Sequence, residues 1–207
     1  MYQALVTYLL EPMMRWCMVL FDRLCFRAHH WHGNLDEVKG PVVLVANHFS
    51  WWDGLWVMLY LRQSPWQLAV PMLQHQLDKR PFLRWWGAMP LKKGRSLPGQ
   101  VAHCLDACSQ PHQLLLLFPQ GQIASMHAPE LVFEKGLLGK LLQQGASCVF
   151  LYQSVEYGHR PRPEVHHFLR PASAKLVVED AEAQYRQFVA ECCQQLAQRM
   201  AQNMERL

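Results

Sequence analysis

Charge is scarce in this sequence. Only 17% of its 207 residues are Asp, Glu, Lys or Arg, against 51% hydrophobic, and mean hydropathy is -0.09. That balance excludes a disordered chain, which needs low hydrophobicity and high net charge, and describes one folded domain with a greasy surface. The charge excess is small too. Twenty Lys and Arg against 16 Asp and Glu leave +4, which suits an anionic partner or a membrane surface but falls short of a dedicated nucleic-acid binder, so no nucleic-acid partner is expected. The seven cysteines are an odd number in a chain too long to need a disulfide framework, and the first residues lack a short apolar run with a small-residue cleavage site. A reducing cytoplasm is the expected compartment. A Gly-x-Ser-x-Gly elbow is missing as well, which removes the serine-nucleophile route that such an elbow serves.

No apolar run approaches the ~20 residues that a membrane span requires. Residues 1–28 are dominated by Leu, Met, Val, Trp and Phe, but Glu11, Arg15, Asp22 and Arg23 interrupt them. The polar positions Gln3, Thr7, Glu11, Arg15 and Asp22 recur at steps of four or seven, which gathers them on one arc of a helix and leaves a wide apolar face. Packing against the rest of the domain would satisfy that face. Trp16, Phe21, Phe26, Trp31, Met1, Met13, Met14 and Met18 are nevertheless more than a short terminal helix needs, while Arg15, Arg23 and Arg27 suit lipid headgroups. The expectation is an amphipathic membrane-interface helix over 1–30, ahead of a folded domain over 31–207.

Beyond it, strand and helix patterns alternate. Val42 to Ala46 is a β-branched run of the kind that forms a buried strand. A helix follows, with Asp53 as its cap and Leu55, Trp56, Met58, Leu59 and Leu61 as its apolar positions. Further strands are expected at Trp66 to Val70, Ala88 to Leu91, Gln113 to Phe118, Ala146 to Tyr152, 164–170 and 174–178. Helices are expected around 72–86, from Leu97 to Cys108, near 135–144 and from Glu179 onward. The fold class is α/β: a central, mostly β-sheet core flanked by helices.

The run Asn47-His48-Phe49-Ser50-Trp51-Trp52-Asp53 follows the 42–46 strand directly, and a strand's carboxyl end is where open α/β sheets place reactive groups. His48 with Asp53 five residues on suits a general base and its orienting carboxylate. Phe118-Pro119-Gln120-Gly121 ends another apolar strand, with Gly121 permitting a tight turn and close approach to a ligand. Gly87-Ala88-Met89-Pro90-Leu91-Lys92-Lys93, followed by Arg95, delivers cations suited to a phosphate. Phe133-Glu134-Lys135-Gly136 opens a helix. Any one of these is a weak signal, but the four along one chain are far more specific.

Together they resemble the glycerolipid acyltransferase family, the lysophosphatidic-acid acyltransferase-like enzymes that carry an N-H-x4-D block, a G-x-x-x-x-x-R block, an F-P-E-G block and a hydrophobic-proline block. The resemblance covers roughly residues 40 to 170. It implies that His48 and Asp53 are the catalytic pair, deprotonating an acceptor hydroxyl that attacks the thioester of acyl-CoA or acyl-carrier protein, with no covalent acyl-enzyme. Residues 31–207 are then the catalytic domain. Asn47, Ser50, Lys92, Lys93, Arg95, Phe118, Pro119, Gln120 and Gly121 are the substrate-binding candidates, with Ser50 orienting the loop. The implied partners are a lipid acceptor, the acyl thioester donor and the membrane surface, at the cytoplasmic face of the inner membrane.

Three positions depart from the family pattern. Gln120 stands where the family has Glu, Lys93 where it has Arg, and Val149-Phe150-Leu151 lacks the proline, so Arg162-Pro163-Glu164-Val165 matches the strand that follows in bacterial members. The first two fall on the acceptor side. A neutral amide is not an acceptor-only group, and Lys is a point charge where Arg offers a fork, so another lipid alcohol, such as a glycolipid, pigment glycoside or amino-lipid, is the alternative acceptor. A catalytically weak lipid-binding protein is the alternative outside enzymes. His29-His30-Trp31-His32 is expected to be a headgroup-facing or pH-sensitive loop, because no further ligand set has convincing metal spacing. Neither a metal nor a cofactor is expected. Trp51, Trp52 and Trp56 are expected to be core, and Cys104, Cys108, Cys192 and Cys193 packing residues.

Overall fold

Val42–Ala46, β2, is apolar at every position and all five residues are buried, so both of its faces must be covered. The computed structural model, which describes residues 2–36, 38, 40–62, 64–91, 97–110, 112–126, 131–158, 160–173 and 176–204 and, among them, side chains other than those of 2–9, 97, 135, 203 and 204, shows how. The remaining elements are α1 (Tyr2–Cys25), β1 (Ala28–His32), α2 (Trp52–Leu61), β3 (Gln67–Leu73), α3 (Gln74–Lys79), a 3-10 turn (Pro81–Trp86), β4 (Ala88–Leu91), α4 (Leu97–Ser109), β5 (Gln113–Leu117), α5 (Lys135–Gln143), β6 (Ser147–Glu156), β7 (Glu164–Pro171) and α6 (Val178–Met204). The seven strands form one sheet in the order β1-β7-β6-β2-β5-β3-β4. Strands β6, β2, β5, β3 and β4 run parallel, whereas β7 is antiparallel to β6 and carries β1 parallel to itself at the edge.

The period-two alternation of a strand divides the core. Val43, Val45, Leu115, Cys148, Phe150 and Tyr152 point to one side and pack with residues of α4, α5 and α6 such as Cys104, Leu138, Leu141, Tyr185 and Phe188. Val42, Leu44, Leu114, Leu116, Val149 and Leu151 point to the other, against Val57, Leu61 and Trp66. Met14 and Met18 of α1 join Leu55, Met58 and Trp86 in a third cluster. Tyr185 anchors α6 to β6 by donating its hydroxyl to the Leu151 carbonyl at 2.7 Å.

Three expectations are corrected. Residues 28–32 are neither helix nor loop but edge strand β1, with Trp31 stacked between Tyr60 and His167 at centroid distances of 3.8 and 3.9 Å. Residues 174–178 do not give a strand. Positions 174 and 175 lie outside the described residues, 176 and 177 are irregular, and Val178 opens α6 with Glu179 and Asp180 in its first turn, where carboxylates favour a helix start. Asp53 is not the cap of α2: Trp51 takes that position and makes no side-chain cap bond, while Asp53 sits in the first turn.

Gly87 shows how tightly the β3–β4 edge is built. It has φ +90, and a Cβ there would fall 1.9 Å from the Leu68 carbonyl oxygen. Gly87→Ala is expected to lower unfolding stability by about 2–4 kcal/mol through strain and strand separation. Chemical denaturation checks this, and an unchanged midpoint would mean that the two strands tolerate the extra carbon.

Candidate active site

Strands β2 and β5 are neighbours in parallel register, with Val45 opposite Leu117. The segments that follow them therefore emerge side by side at one end of the sheet, which brings Asn47–Asp53 against Phe118–Gly121. His48 Nδ1 lies 2.9 Å from Asp53 Oδ2. That same oxygen accepts the backbone N–H of Phe49 at 2.8 Å and of Ser50 at 2.9 Å. Three donors on one oxygen fold the segment back on itself and hold the imidazole at a fixed angle. Ser50 Oγ accepts the Trp52 N–H at 3.1 Å, which steadies the same turn.

Asp53 is fully buried, while the His48 side chain remains 22% exposed. Burial pushes the Asp53 carboxyl above its usual range, and the hydrogen bonds from His48, Ser50 and Phe49 pull it part of the way back. Its second oxygen, Oδ1, is buried without a hydrogen-bond partner. With Nδ1–H donating to the carboxylate, His48 Nε2 carries the ring's lone pair, as a general base requires. The Phe118 ring stacks on the imidazole at 4.1 Å and 19°, fixing its plane.

Gln120 Oε1 accepts the His48 backbone N–H at 2.6 Å, and the Ala124 N–H donates to the His48 carbonyl at 2.9 Å. Gln120 thus touches the His48 segment itself. Gly121 turns with φ +69, its N–H donating to the Phe118 carbonyl at 3.1 Å, and a Cβ there would fall 2.4 Å from Glu134 Oε1. Glycine therefore lets the Glu134 carboxylate close on the turn, while the Glu134 N–H donates to the Pro119 carbonyl at 2.6 Å. Asn47 spends both amide atoms on the backbone of Gln153, giving Nδ2–H to its carbonyl and taking its N–H on Oδ1, each at 2.9 Å. This extends the β2–β6 ladder one residue past Ala46 and Leu151. Lys92, Lys93 and Arg95 lie outside the described residues.

Behind Asp53 runs a buried polar chain that sequence reasoning missed. Gln153 Nε2 lies 3.4 Å from the Asp53 carbonyl and 3.1 Å from His167 Nδ1, His167 Nε2 is 3.1 Å from His29 Nδ1, and His29 Nε2 is 3.0 Å from Asp22 Oδ2. Trp56 Nε1–H completes it by donating to Asp22 Oδ1 at 3.1 Å. An amide N–H2 only donates and a carboxylate only accepts. Every link is satisfied if His167 and His29 each accept on Nδ1 and donate from Nε2. Burial and the neighbouring imidazoles hold His167 well below its ordinary pKa, consistent with a neutral ring. The available signal was the polar residue inside an apolar run, Gln153 after Val149–Tyr152 and His166-His167 between Val165 and Phe168.

The surface leading to the site is apolar. On α1, Met13, Trp16, Leu20, Phe21 and Leu24 are exposed, Trp16 to 77%, and Phe21 stacks on Trp52 at 5.5 Å. Trp51 and Ile123 are exposed beside the His48–Asp53 turn, whereas Trp56 is core, so Trp51 departs from the expected packing role. Cys104, Cys108 and Cys192 are buried as expected, but Cys193 is exposed. No helix among the described residues is long and apolar enough to cross a membrane. A cavity of about 520 Å³ opens at the other end of the sheet, where Pro41, Trp66 and His112 precede β2, β3 and β5. It contains no hydrogen-bonded His–carboxylate pair among the described residues.

No curated protein matches the chain in sequence. Among solved structures it is similar to the 1-acyl-sn-glycerophosphate (LPA) acyltransferase PlsC from Thermotoga maritima, with 18% identity, a TM-score of 0.50, and coverage of 84% of this chain and 72% of that one. That likeness bears on the fold: the α/β architecture is shared. The family model for Acyltransferase matches residues 28–151, a span that holds His48, Asp53 and the Phe118–Gly121 turn. Since that match covers more than half of the sequence, the chain belongs to the Acyltransferase family, as its four ordered blocks implied.

Proposed function

We propose that this acyltransferase moves a fatty acyl group from an acyl-CoA or acyl-carrier-protein thioester to the free hydroxyl of a lysophospholipid at a membrane surface. The observation that carries the reading is the His48 imidazole held 2.9 Å from the buried Asp53 carboxylate at the open end of the sheet. His48 Nε2 removes the hydroxyl proton as the oxygen attacks the thioester carbonyl. The new C–O ester bond forms, the C–S bond breaks, and the imidazolium returns its proton to the departing thiolate. Because the thioester is already activated, no enzyme nucleophile is needed.

The exposed apolar stripe of α1 supports a membrane-surface location, since it runs to Phe21, which stacks on Trp52 next to the catalytic turn. On this reading α1 lies in the headgroup region of the cytoplasmic leaflet of the inner membrane and passes lipid directly to His48. Lys92, Lys93 and Arg95 supply the cations for the acceptor phosphate. A second reading, acylation of a lipid alcohol without a phosphomonoester, is favoured by Gln120, whose Oε1 is engaged by the His48 N–H and whose remaining polar group is an amide donor.

A panel of hydroxyl acceptors separates the two. Purified protein in mixed micelles, given long-chain acyl-CoA, is expected to acylate lysophosphatidic acid and lysophospholipids ahead of glycolipids and simple alcohols, with products read by mass spectrometry. Preference for an unphosphorylated alcohol would replace the first reading with the second, and acyl-chain binding without turnover on any acceptor would leave a lipid-binding protein. Gln120→Glu keeps an oxygen for the His48 amide but removes the donor. It is expected to change the kcat/KM ratio between phosphorylated and unphosphorylated acceptors by about tenfold, the worth of one charged hydrogen bond. An unchanged ratio would remove Gln120 as the selector.

A further inference from the structure

The histidines of β1 are not used by the chemistry at His48, and the pairing of β1 with β7 gives them partners that lie far away in sequence. Parallel register sets Ala28 opposite Glu164 and His30 opposite His166. Strand alternation then places His30 and His32 of β1 and Glu164 and His166 of β7 on the same face. The opposite face carries His29 and His167 of the buried chain behind Asp53. On the first face Leu196, Arg199 and Met200 of α6 lie beside His30, Glu164 and His166 and line with them a half-open cavity of about 210 Å³.

We propose that His30, Glu164 and His166 form a binding site for a divalent transition metal ion of the zinc class. One ligand atom from each of the three lies within 4.8 Å of the other two. His30 Nε2 and Glu164 Oε2 are already 2.8 Å apart, and the His30 and His166 rings stack at 4.7 Å. Two imidazoles and one carboxylate are a donor set that such an ion takes at about 2.0–2.2 Å per bond, with a fourth position left for water. The cavity has room for that water. Binding through His30 Nε2 moves the proton that now bridges to Glu164 onto Nδ1, so the imidazole ligates as its other neutral tautomer and the carboxylate oxygen changes from acceptor to ligand.

The surroundings fit a metal centre with a second layer. Arg27 Nη1 holds Glu164 Oε1 at 2.6 Å, which leaves Oε2 turned toward His30, and His32 Nε2 stands 3.3 Å from His166 Nδ1. Such outer contacts orient ligands in metal sites. Arg199 is the opposing feature: its Nη1 lies 3.2 Å from both ring nitrogens of His32, so an entering cation meets a like charge. That charge provides a discriminating test. In sequence the site was hidden because the His run at 29–32 holds only part of the ligand set, the rest being 134 residues further on.

The test uses untagged full-length protein, stripped with chelator and titrated with Co²⁺ as an optical reporter, then with Zn²⁺ in competition. The expected result is one equivalent of Co²⁺ with visible ligand-field absorption, displaced by Zn²⁺. Affinity should fall more than ~100-fold in His30→Ala and in His166→Ala, and about 10- to 100-fold in Glu164→Gln. His75→Ala, an exposed histidine elsewhere, should leave it unchanged. Removing the exposed like charge with Arg199→Ala should tighten binding about fivefold, an effect that a misfolded variant would not produce. Absence of a Co²⁺ spectrum, binding unaffected by the His30 and His166 variants, or weaker binding in Arg199→Ala would each overturn the proposal.

Discussion

His48→Ala is expected to lower the turnover of acyl transfer by about 10²- to 10⁴-fold, the range that a positioned general base contributes. Both KM values should stay within about threefold, because the imidazole acts on the reacting proton and not on the acyl chain or headgroup. The fold should survive. The backbone N–H that Gln120 accepts remains in the variant, as do the two amide bonds that Phe49 and Ser50 give to Asp53. What is lost is the ring stack on Phe118 and one of three donors to a buried carboxylate, about 1–2 kcal/mol in all. Thiol release from acyl-CoA, followed with a saturating lysophospholipid, measures the effect. A folded variant that retained more than a tenth of wild-type turnover would take the base away from His48.

That expectation could be written from the sequence because the segments that carry it are local. Val42 to Ala46 is apolar at every position and rich in β-branched valine, which favours a strand buried on both faces, and the Asn47–Asp53 block follows at once. The Phe118–Gly121 turn is legible for the same reason, through the leucines of β5. The sequence offers no such signal for β1. Ala28–His32 is polar and only half-buried throughout, and its packing is made by ring stacking onto Tyr60, His166 and His167, contacts that hydropathy does not register. The chain from Asp22 through His29 and His167 to Gln153 escaped for a different reason: its members come from α1, β1, β7 and β6, and only the strand order β1-β7-β6-β2 brings them together behind Asp53. Residues 174–178 misled because four of the five are apolar by composition; Leu176 packs against the α4–α6 side of the core and Val178 begins the helix, pressed against Gly139 of α5.

Full burial of its carboxylate makes Asp53→Asn the more informative substitution. An amide can still accept the Phe49 and Ser50 N–H groups through its oxygen, so the turn is preserved, but it carries no charge to stabilise an imidazolium at His48. Turnover is expected to fall about 10²- to 10⁴-fold with acceptor KM little changed. Stability should change far less. Burial raises the Asp53 pKa in the folded protein above that in the unfolded chain, so the fold prefers the protonated acid. The group's favourable contribution is fully present below its unfolded pKa and is lost as pH rises through its folded pKa. At neutral pH the wild type therefore holds a buried carboxylate at a cost that Asp53→Asn removes, but the amide N–H2 takes the place of Oδ1, which has no hydrogen-bond partner, so the melting temperature of Asp53→Asn should stay within about 5 °C of wild type. Relative to wild type the variant should lose stability as pH falls through the folded pKa of Asp53, where the wild-type carboxyl becomes neutral as well. Thermal melts across that acid range, paired with turnover at neutral pH, read both effects in one protein. A variant with full turnover would sink the orienting role. One that lost activity and stability together at neutral pH would mean that Asp53 holds the turn and does not tune the base.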